Sequence, residues 1–499
     1  MEPSGKSCSR NHTQNASGDA CSWEINDKVR LCRFLCYGSE QKKYTAGDEG
    51  RISVENAEAL QSLLQAGQGS EVVEEIKRFA QDGRASRFEP CFFALALCSQ
   101  HCELKTRQAA FKALKEICHD PAHLFTFINF KTQLKEGMKC GIWGRALRQA
   151  VSDWYNEQDA VILAAAMTKC KQREGWSHRD VLRLSHTKPV HEAIAVLSKY
   201  VTKGWVEVQR AYNDKENSEE VAKVLAYLEV VEKVKHSYDE TEVVALIEEH
   251  KLEREMLLTD HLKSKQVWHA LLKEMPLQSI VKALGKIAVN KVLEPESPET
   301  RALCDRIQSD TEVRKSKLHP FSLLVATEKY KKGQGYQGKT KWKPDSDILK
   351  ALDSAFYKSF LNVNPVGKRF VVAVDVSSSM SRILKGTSII TPVAAAAVAM
   401  VPAKSTDCTL PVTWATENKE AVDVFIVLTN NAFWPFCSSP VESLRKHRQT
   451  TGSTSKLVIC DLTASASTME DIDDRGLMNL CGFDLGAFSL IHNLALDLI

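Results

Sequence analysis

Arg369-Phe-Val-Val-Ala-Val-Asp375-Val-Ser377-Ser-Ser379 marks the point where the texture of this 499-residue chain changes. The run up to Asp375 is short, rich in valine and uninterrupted, the pattern of a strand buried on both faces. Two runs of the same kind follow, Asp423-Val-Phe-Ile-Val-Leu-Thr429 and Lys456-Leu-Val-Ile-Cys-Asp461. Helical stretches at 392–401, 440–448 and 487–499 separate or follow them. Strands alternating with helices predict a parallel sheet covered on both faces, here a small α/β domain over 363–499. The boundary falls in Asn362-Val-Asn-Pro-Val-Gly-Lys368.

Upstream of that boundary the chain reads as helix after helix. Ser53 can cap a helix running to Gly67, and Ser70 one ending near Gly83. Another begins near Pro90, and Thr106 can cap the next. Starts near 54 and 90, and near 71 and 107, are 36 residues apart, the length of a helix–turn–helix solenoid unit. The pattern continues to about 330, through a helix opened by Ser218-Glu219-Glu220 with Val221, Leu225, Leu228, Val231 and Val234 near one face. Strand signals are nearly absent before 360. The fold class is therefore mainly α: a ring or superhelix of HEAT-like helical repeats over 25–362, followed by the smaller α/β domain. Residues 1–24, rich in Ser, Gly and Asn, read as a disordered tail.

The formal net charge is only +3, so any nucleic-acid surface must come from local clustering. The 15 cysteines include no CxxC pair. Cys91, Cys98, Cys102 and His101 flank an apolar run and read as buried thiols rather than a metal site. Scattered thiols, with no signal peptide or membrane-length apolar stretch, indicate a reducing compartment: the cytoplasm, with the nucleus as a second location, and no membrane partner.

Gly333-Gln-Gly-Tyr-Gln-Gly-Lys339-Thr340 fits GxxxxGK[ST] letter for letter. Phosphate binding there needs a strand before the loop and a helix beginning at Lys-Thr. The preceding residues have helical spacing, and Pro344 would interrupt a helix starting at Thr340. A basic linker over 331–343 is the better reading.

Three stretches concentrate positive charge. The first holds Lys131, Lys135, Lys139, Arg145 and Arg148. The second holds Lys169, Lys171, Arg173, Arg179, Arg183 and Lys188, with His178 and His186. The third holds Lys263, Lys265, Lys273, Lys282, Lys286 and Lys291. Trp143, Trp176 and Trp268 lie among them. Clustered cations attract phosphate, and aromatic faces stack on unpaired bases, so three such clusters on a curved scaffold favour RNA over a merely solvated helix face. The candidate RNA contacts are Lys139, Arg145, Arg148, Lys169, Arg173, His178, His186, Lys263 and Lys265.

Asp375, Ser377 and Ser379 stand at the carboxyl end of the first strand, where open α/β sheets bind ligands. A carboxylate and two hydroxyls suit an oxygen-coordinated divalent cation such as Mg²⁺. Thr406-Asp407 and Thr429-Asn430-Asn431 could complete the set; the competing reading is hydroxyls that cap the following helix.

Longer stretches carry a resemblance: Asp153-Trp-Tyr-Asn156, Gly175-Trp-Ser-His178, His261-Leu-Lys-Ser-Lys-Gln-Val-Trp268, Lys341-Trp-Lys-Pro344 and Asp474-Arg-Gly476. Through them the chain resembles the Ro (SS-A) autoantigen ribonucleoprotein family, a TROVE domain plus a von Willebrand factor A-like domain, over nearly everything beyond the tail. The resemblance implies a closed helical ring that binds Y RNAs on its outer basic surface. It implies that single-stranded ends of misfolded small RNAs enter the central hole, and a role in RNA quality control without catalysis. RNA-processing proteins are the protein partners such a role invites. Carried over by motif, Lys169, Arg173 and His186 contact RNA. Ser377, Ser379 and Thr406 become metal ligands of a MIDAS-type site, with Asp375 bound directly or through water.

Two departures weaken the metal site. The family has Thr-Asp-Asn where this chain has Thr429-Asn430-Asn431, which removes a carboxylate. Fewer than 30 residues separate Ser379 from Thr406, too few for the helix, strand and helix an A-type domain places there. The domain reads as shortened between 380 and 406, with the edge of its first strand uncovered. A splice form and a diverged copy would each explain this. The expectation is weak or absent Mg²⁺ binding with RNA binding intact. The rival functions are a metal-dependent protein-interaction module and a nucleotide-driven enzyme using the 333–340 loop.

Overall fold

The computed structural model describes residues 12–14, 20–22, 25–40, 43–46, 52–85, 87–135, 141–335, 340–375, 402–403, 409–430, 440–463 and 474–499. Helices stack from residue 27 to residue 358, each packing on a helix one or two positions away in sequence. The helix Gly69–Gln81 packs on Leu104–Ile117, and Glu89–Cys98 packs on Pro121–Gln133. That offset pairing is the solenoid arrangement expected from the 36-residue spacing. Short polar side chains set the starts: Ser218 accepts from the Val221 N–H, and Ser264 from the Val267 N–H. Buried indoles fix neighbouring turns. Trp154 Nε1 donates to the Cys118 carbonyl at 2.7 Å, and Trp268 Nε1 to the Leu262 carbonyl at 2.8 Å.

The C-terminal unit is built on a sheet whose strands are all parallel. Across it they run Lys43–Thr45, Leu477–Cys481, Lys456–Asp461, Val424–Thr429, Phe370–Asp375 and Pro402–Ala403. The three strands read from sequence are present. Val424–Thr429 and Lys456–Asp461 are buried along their whole length. Phe370–Asp375 is buried only at Asp375, and its outer edge is paired only at Val374 and Asp375, by the two-residue strand Pro402–Ala403. The outer edge expected to be uncovered is thus paired over its last two residues. The helix expected at 392–401 lies outside the described residues.

Several elements differ from the sequence reading. Within 1–24, His12–Gln14 and Ala20–Ser22 pair as antiparallel strands, so these residues are not the structureless tail expected there. A strand at Lys43–Thr45, upstream of any expected strand, joins the C-terminal sheet. Beyond the helical pattern read to about 330, a further helix, Ser346–Lys358, is capped by Asp345. Residues 333–335 and 340–342, expected as part of a flexible linker, are paired with each other. Gln334 bridges Lys341, the Gly335 N–H donates to the Thr340 carbonyl, and the Trp342 N–H to the Gly333 carbonyl. The helix Pro320–Lys332 precedes Gly333 and the next described helix begins at Ser346, so among the described residues the strand–loop–helix context of a phosphate loop is absent. Lys339 itself lies outside the described residues.

Both ends of the helical array meet the same α/β unit. At the start, the Tyr44 hydroxyl donates to Asp484 at 2.8 Å, and Asn493 Nδ2 donates to the Arg84 carbonyl at 2.9 Å. Near the end, the Phe321 ring lies 5.7 Å from Phe483 and 5.3 Å from Phe488. The array therefore closes through the C-terminal unit, as a ring. No helix among the described residues is long and apolar enough to cross a membrane.

Candidate nucleic-acid interface

The second basic cluster folds as helix, hairpin, helix. Asp159 caps Ala160–Lys169, which ends as the chain turns into paired strands Gln172–Arg173 and Trp176–Ser177. Glu174 and Gly175 join them with φ of 53° and 77°, the positive values of the tight hairpin turn. Ser177 then caps His178–Ser185, its hydroxyl accepting from the Asp180 N–H. His186 ends that helix with φ 51°, and its ring is exposed.

Trp143 and Trp176 bring two clusters together, with ring centroids 5.9 Å apart, edge to face. This contact seats the start of Arg145–Asn156 beside the Arg173 hairpin. Arg145 and Arg148 are exposed, in the first turns of that helix, and neither makes an ion pair among the described residues. Their charges sit at the positive end of the helix dipole, an unfavourable placement for the fold. Unpaired cations that oppose a local preference suit an external anion. Lys169 is exposed and pairs with Glu253 at 2.5 Å, and Arg173 lies 3.8 Å from Glu174. Lys263 and Lys265 pair with Asp260 and Glu294. Such surface pairs contribute about 0–1 kcal/mol, so phosphate can displace them.

Three cations or rings in these clusters face inward. Lys131 is buried: Nζ donates to Ser99 Oγ at 2.8 Å and lies over the Phe111 ring. Burial lowers its pKa to about 8. His178 is buried too, hydrogen-bonded to the Tyr155 hydroxyl at 2.8 Å and near the Cys170 carbonyl at 3.1 Å. Burial lowers its pKa to about 4, so the ring is neutral near pH 7. Named from sequence as an RNA contact, it instead holds the hairpin to the core. Trp268 is likewise a core residue. Lys139 lies outside the described residues.

Lys282 and Lys286 of the third cluster line a cavity of about 1140 Å³ with Arg87, Arg254 and Lys329. Tyr44 and Asp484, at the junction closing the array, reach the same space. Its walls therefore come from the start, middle and end of the chain. The basic character of this cavity and of the hairpin surface is a property of the assembled ring, since whole-chain charge is near balance.

At the carboxyl ends of the sheet strands, the Thr429 hydroxyl donates to Asp375 at 3.0 Å, and Thr463 donates to Asp461 on the adjacent strand. Asp375, Thr429, Asn430 and Asp461 are all buried. Sequence reading passed over Asp461, whose signal was its position at a strand end beside Thr429. Two carboxylates with a hydroxyl and an amide are oxygen donors of the right chemistry for a hard cation. Ser377, Ser379 and Thr406, the ligands expected beside them, lie outside the described residues. No cluster of three or more His, Cys, Asp or Glu suited to a metal occurs among the described residues. Cys91 and Cys98 are buried and free, with burial pushing both thiols well up, whereas Cys102, expected to be buried with them, is exposed.

Comparison with known proteins covers this arrangement end to end. An RNA-binding protein RO60 from Caenorhabditis elegans is 28% identical over 566 residues, spanning 94% of this chain and 88% of the relative. One from Deinococcus radiodurans is 27% identical, spanning 93% and 92%. The crystal structure of the Deinococcus radiodurans RO (RSR) protein superposes with a TM-score of 0.83 at 26% identity, covering 95% of this chain and all of that one. A Ro60 vWA domain model matches residues 400–495. The TROVE domain model matches residues 13–331, more than half of the chain, and with the helical array and α/β unit in place the chain belongs to the TROVE-domain family.

Proposed function

We propose that this chain is an RNA-binding scaffold for small noncoding RNAs. Structured RNAs of the Y type dock on the surface around Arg145, Arg148, Lys169, Arg173 and His186. Misfolded small RNAs insert a single-stranded end into the cation-lined cavity, giving roles in RNA quality control and ribonucleoprotein assembly. The observation that carries this reading is the convergence of two separate basic clusters through Trp143 and Trp176, with arginines left unpaired beside the hairpin. Relatives named as RNA-binding proteins support it. Binding to a Y-type stem and to a single-stranded oligoribonucleotide should weaken steeply with salt, because phosphate neutralisation dominates. Affinity that stays constant across a salt titration overturns the proposal.

A second reading rests on Asp375, Thr429 and Asp461 at adjacent strand ends. It makes the C-terminal unit a Mg²⁺-dependent protein-interaction module. Captured proteins that survive nuclease but are lost with a chelator would favour it. The amide of Asn430 in place of a carboxylate argues for weak or absent Mg²⁺ binding with RNA binding intact. Tight Mg²⁺ binding by calorimetry, abolished by Ser377→Ala, would reverse that judgement.

A further inference from the structure

Beside the hairpin lies a separate pocket of about 350 Å³, within the range of roughly 300–1,000 Å³ typical of small-ligand sites. Its floor is aromatic. Phe88 stands at the start of the helix Glu89–Cys98 and stacks on Phe92, with ring centroids 6.1 Å apart at 20°. The His123 ring leans on both, 5.3 Å from Phe88 and 5.0 Å from Phe92. Arg87 and Arg173 stand at its rim. Arg173 comes from the hairpin, whereas Arg87 also lines the large central cavity. The pocket thus adjoins both the basic hairpin, through Arg173, and the larger cation-lined cavity, through Arg87.

We propose that this pocket takes one unpaired nucleotide of a bound RNA, its base stacked on Phe88 and His123 and its phosphate held by Arg87 and Arg173. This rests on the RNA-binding reading and adds a specific subsite to it. An aromatic platform beside guanidinium groups is the combination that single-stranded nucleic acids require. Glu89 and Asp120 also line the pocket. They would repel phosphate, which places the phosphate on the arginine side. The Glu89 carboxylate accepts no hydrogen bond from the described residues, and it can accept one from a base amino group. The His123 ring has Nδ1 buried with no hydrogen-bond partner among the described residues and Nε2 3.6 Å from Asp120, and burial lowers its pKa.

The test uses the full chain and two probes, a single-stranded oligoribonucleotide carrying 4-thiouridine and a blunt-ended RNA duplex. Phe88→Ala should weaken the single strand about 5- to 150-fold, the range for losing one base–aromatic stack, while leaving the duplex within twofold. Phe88→Trp, which keeps a stacking face, should restore single-strand binding and so separates stacking from folding. Irradiation of the unmodified chain should give adducts on the peptides carrying Phe88 or His123. Salt-sensitive oligonucleotide binding that ignores Phe88→Ala, or adducts confined to other peptides, overturns the pocket while sparing the broader reading. An unmodified chain that binds neither probe overturns both.

Discussion

Replacing Arg145 and Arg148 by alanine should move stability and RNA affinity in opposite directions. Both side chains are exposed and make no ion pair among the described residues, so no protein contact is lost. Both charges lie in the first turns of Arg145–Asn156, where a cation opposes the helix dipole by roughly 0.3–1 kcal/mol. Alanine also has the higher helix propensity. The double variant should therefore melt at the same temperature or slightly higher. RNA affinity should fall. Each duplex phosphate contact contributes about 0.9 to the slope of log K against log salt, so losing two flattens it by about 1.8. Referred to 1 M salt, that amounts to roughly 1.5 decades at about 0.15 M, a loss near 30-fold. Filter binding of a Y-type stem across a salt series reads the slope, and circular dichroism reads the melt. A loss of affinity with the slope unchanged, or one accompanied by a lower melting temperature, would refute the assignment of these arginines to phosphate.

Glu253 faces Lys169, and Glu253→Gln frees that ammonium for phosphate; RNA affinity should rise severalfold in the same filter assay, with no rise meaning that Lys169 is not a contact. Arg448 and Asp474 form a buried, two-pronged pair at 2.7 and 3.2 Å, with Arg448 Nε also donating to the Ser455 carbonyl. Asp474→Asn removes the two-pronged carboxylate partner of a buried guanidinium and should cost about 3–5 kcal/mol by denaturant unfolding. Lys131 has a folded pKa of about 8 against 10.5 for the free side chain, so the unfolded chain holds the extra proton between those values. Its contribution to stability therefore rises as pH climbs from about 8 to about 10.5, by on the order of 3 kcal/mol. Lys131→Met should remove that rise relative to the parent chain and be neutral or stabilising at pH 7; a variant less stable at pH 7 would show that the Ser99 contact outweighs burial.

The elements that sequence reading found are those whose signal is local. Val424–Thr429 and Lys456–Asp461 are apolar at nearly every position because both faces are covered. Leu477–Cys481 escaped because Leu-Met-Asn-Leu-Cys has no β-branched residue and carries Asn479 in the middle. Lys43–Thr45 escaped because three residues carry no period, and its partner lies more than 400 positions away. Lys131 and His178 were counted with the exposed charges, yet helical spacing marks both as inward. Lys131 continues the face of Leu124, Phe127 and Ile128, and His178 shares one with Val181, Leu182 and Ser185, all buried. Reading charge type before helix face misplaced them. The Trp143–Trp176 contact and the shared cavity had no sequence signal, because they join segments through tertiary packing alone.

The order of strands explains how the shortening expected between 380 and 406 would be compatible with an intact ring. Of the interval between 380 and 406 only Pro402–Ala403 is described, and it lies at the edge beside Phe370–Asp375. The contacts that close the ring belong to the opposite edge, where Lys43–Thr45 pairs with Leu477–Cys481 and Tyr44 donates to Asp484. Phe483 and Phe488, which receive Phe321, lie just beyond that same edge strand. Between the two edges stand Val424–Thr429 and Lys456–Asp461, both fully buried. A change at the first edge acts directly on Asp375, and reaches the ring closure only through two well-packed strands. The edge that carries Asp375 and the edge that closes the ring are therefore separated within this sheet.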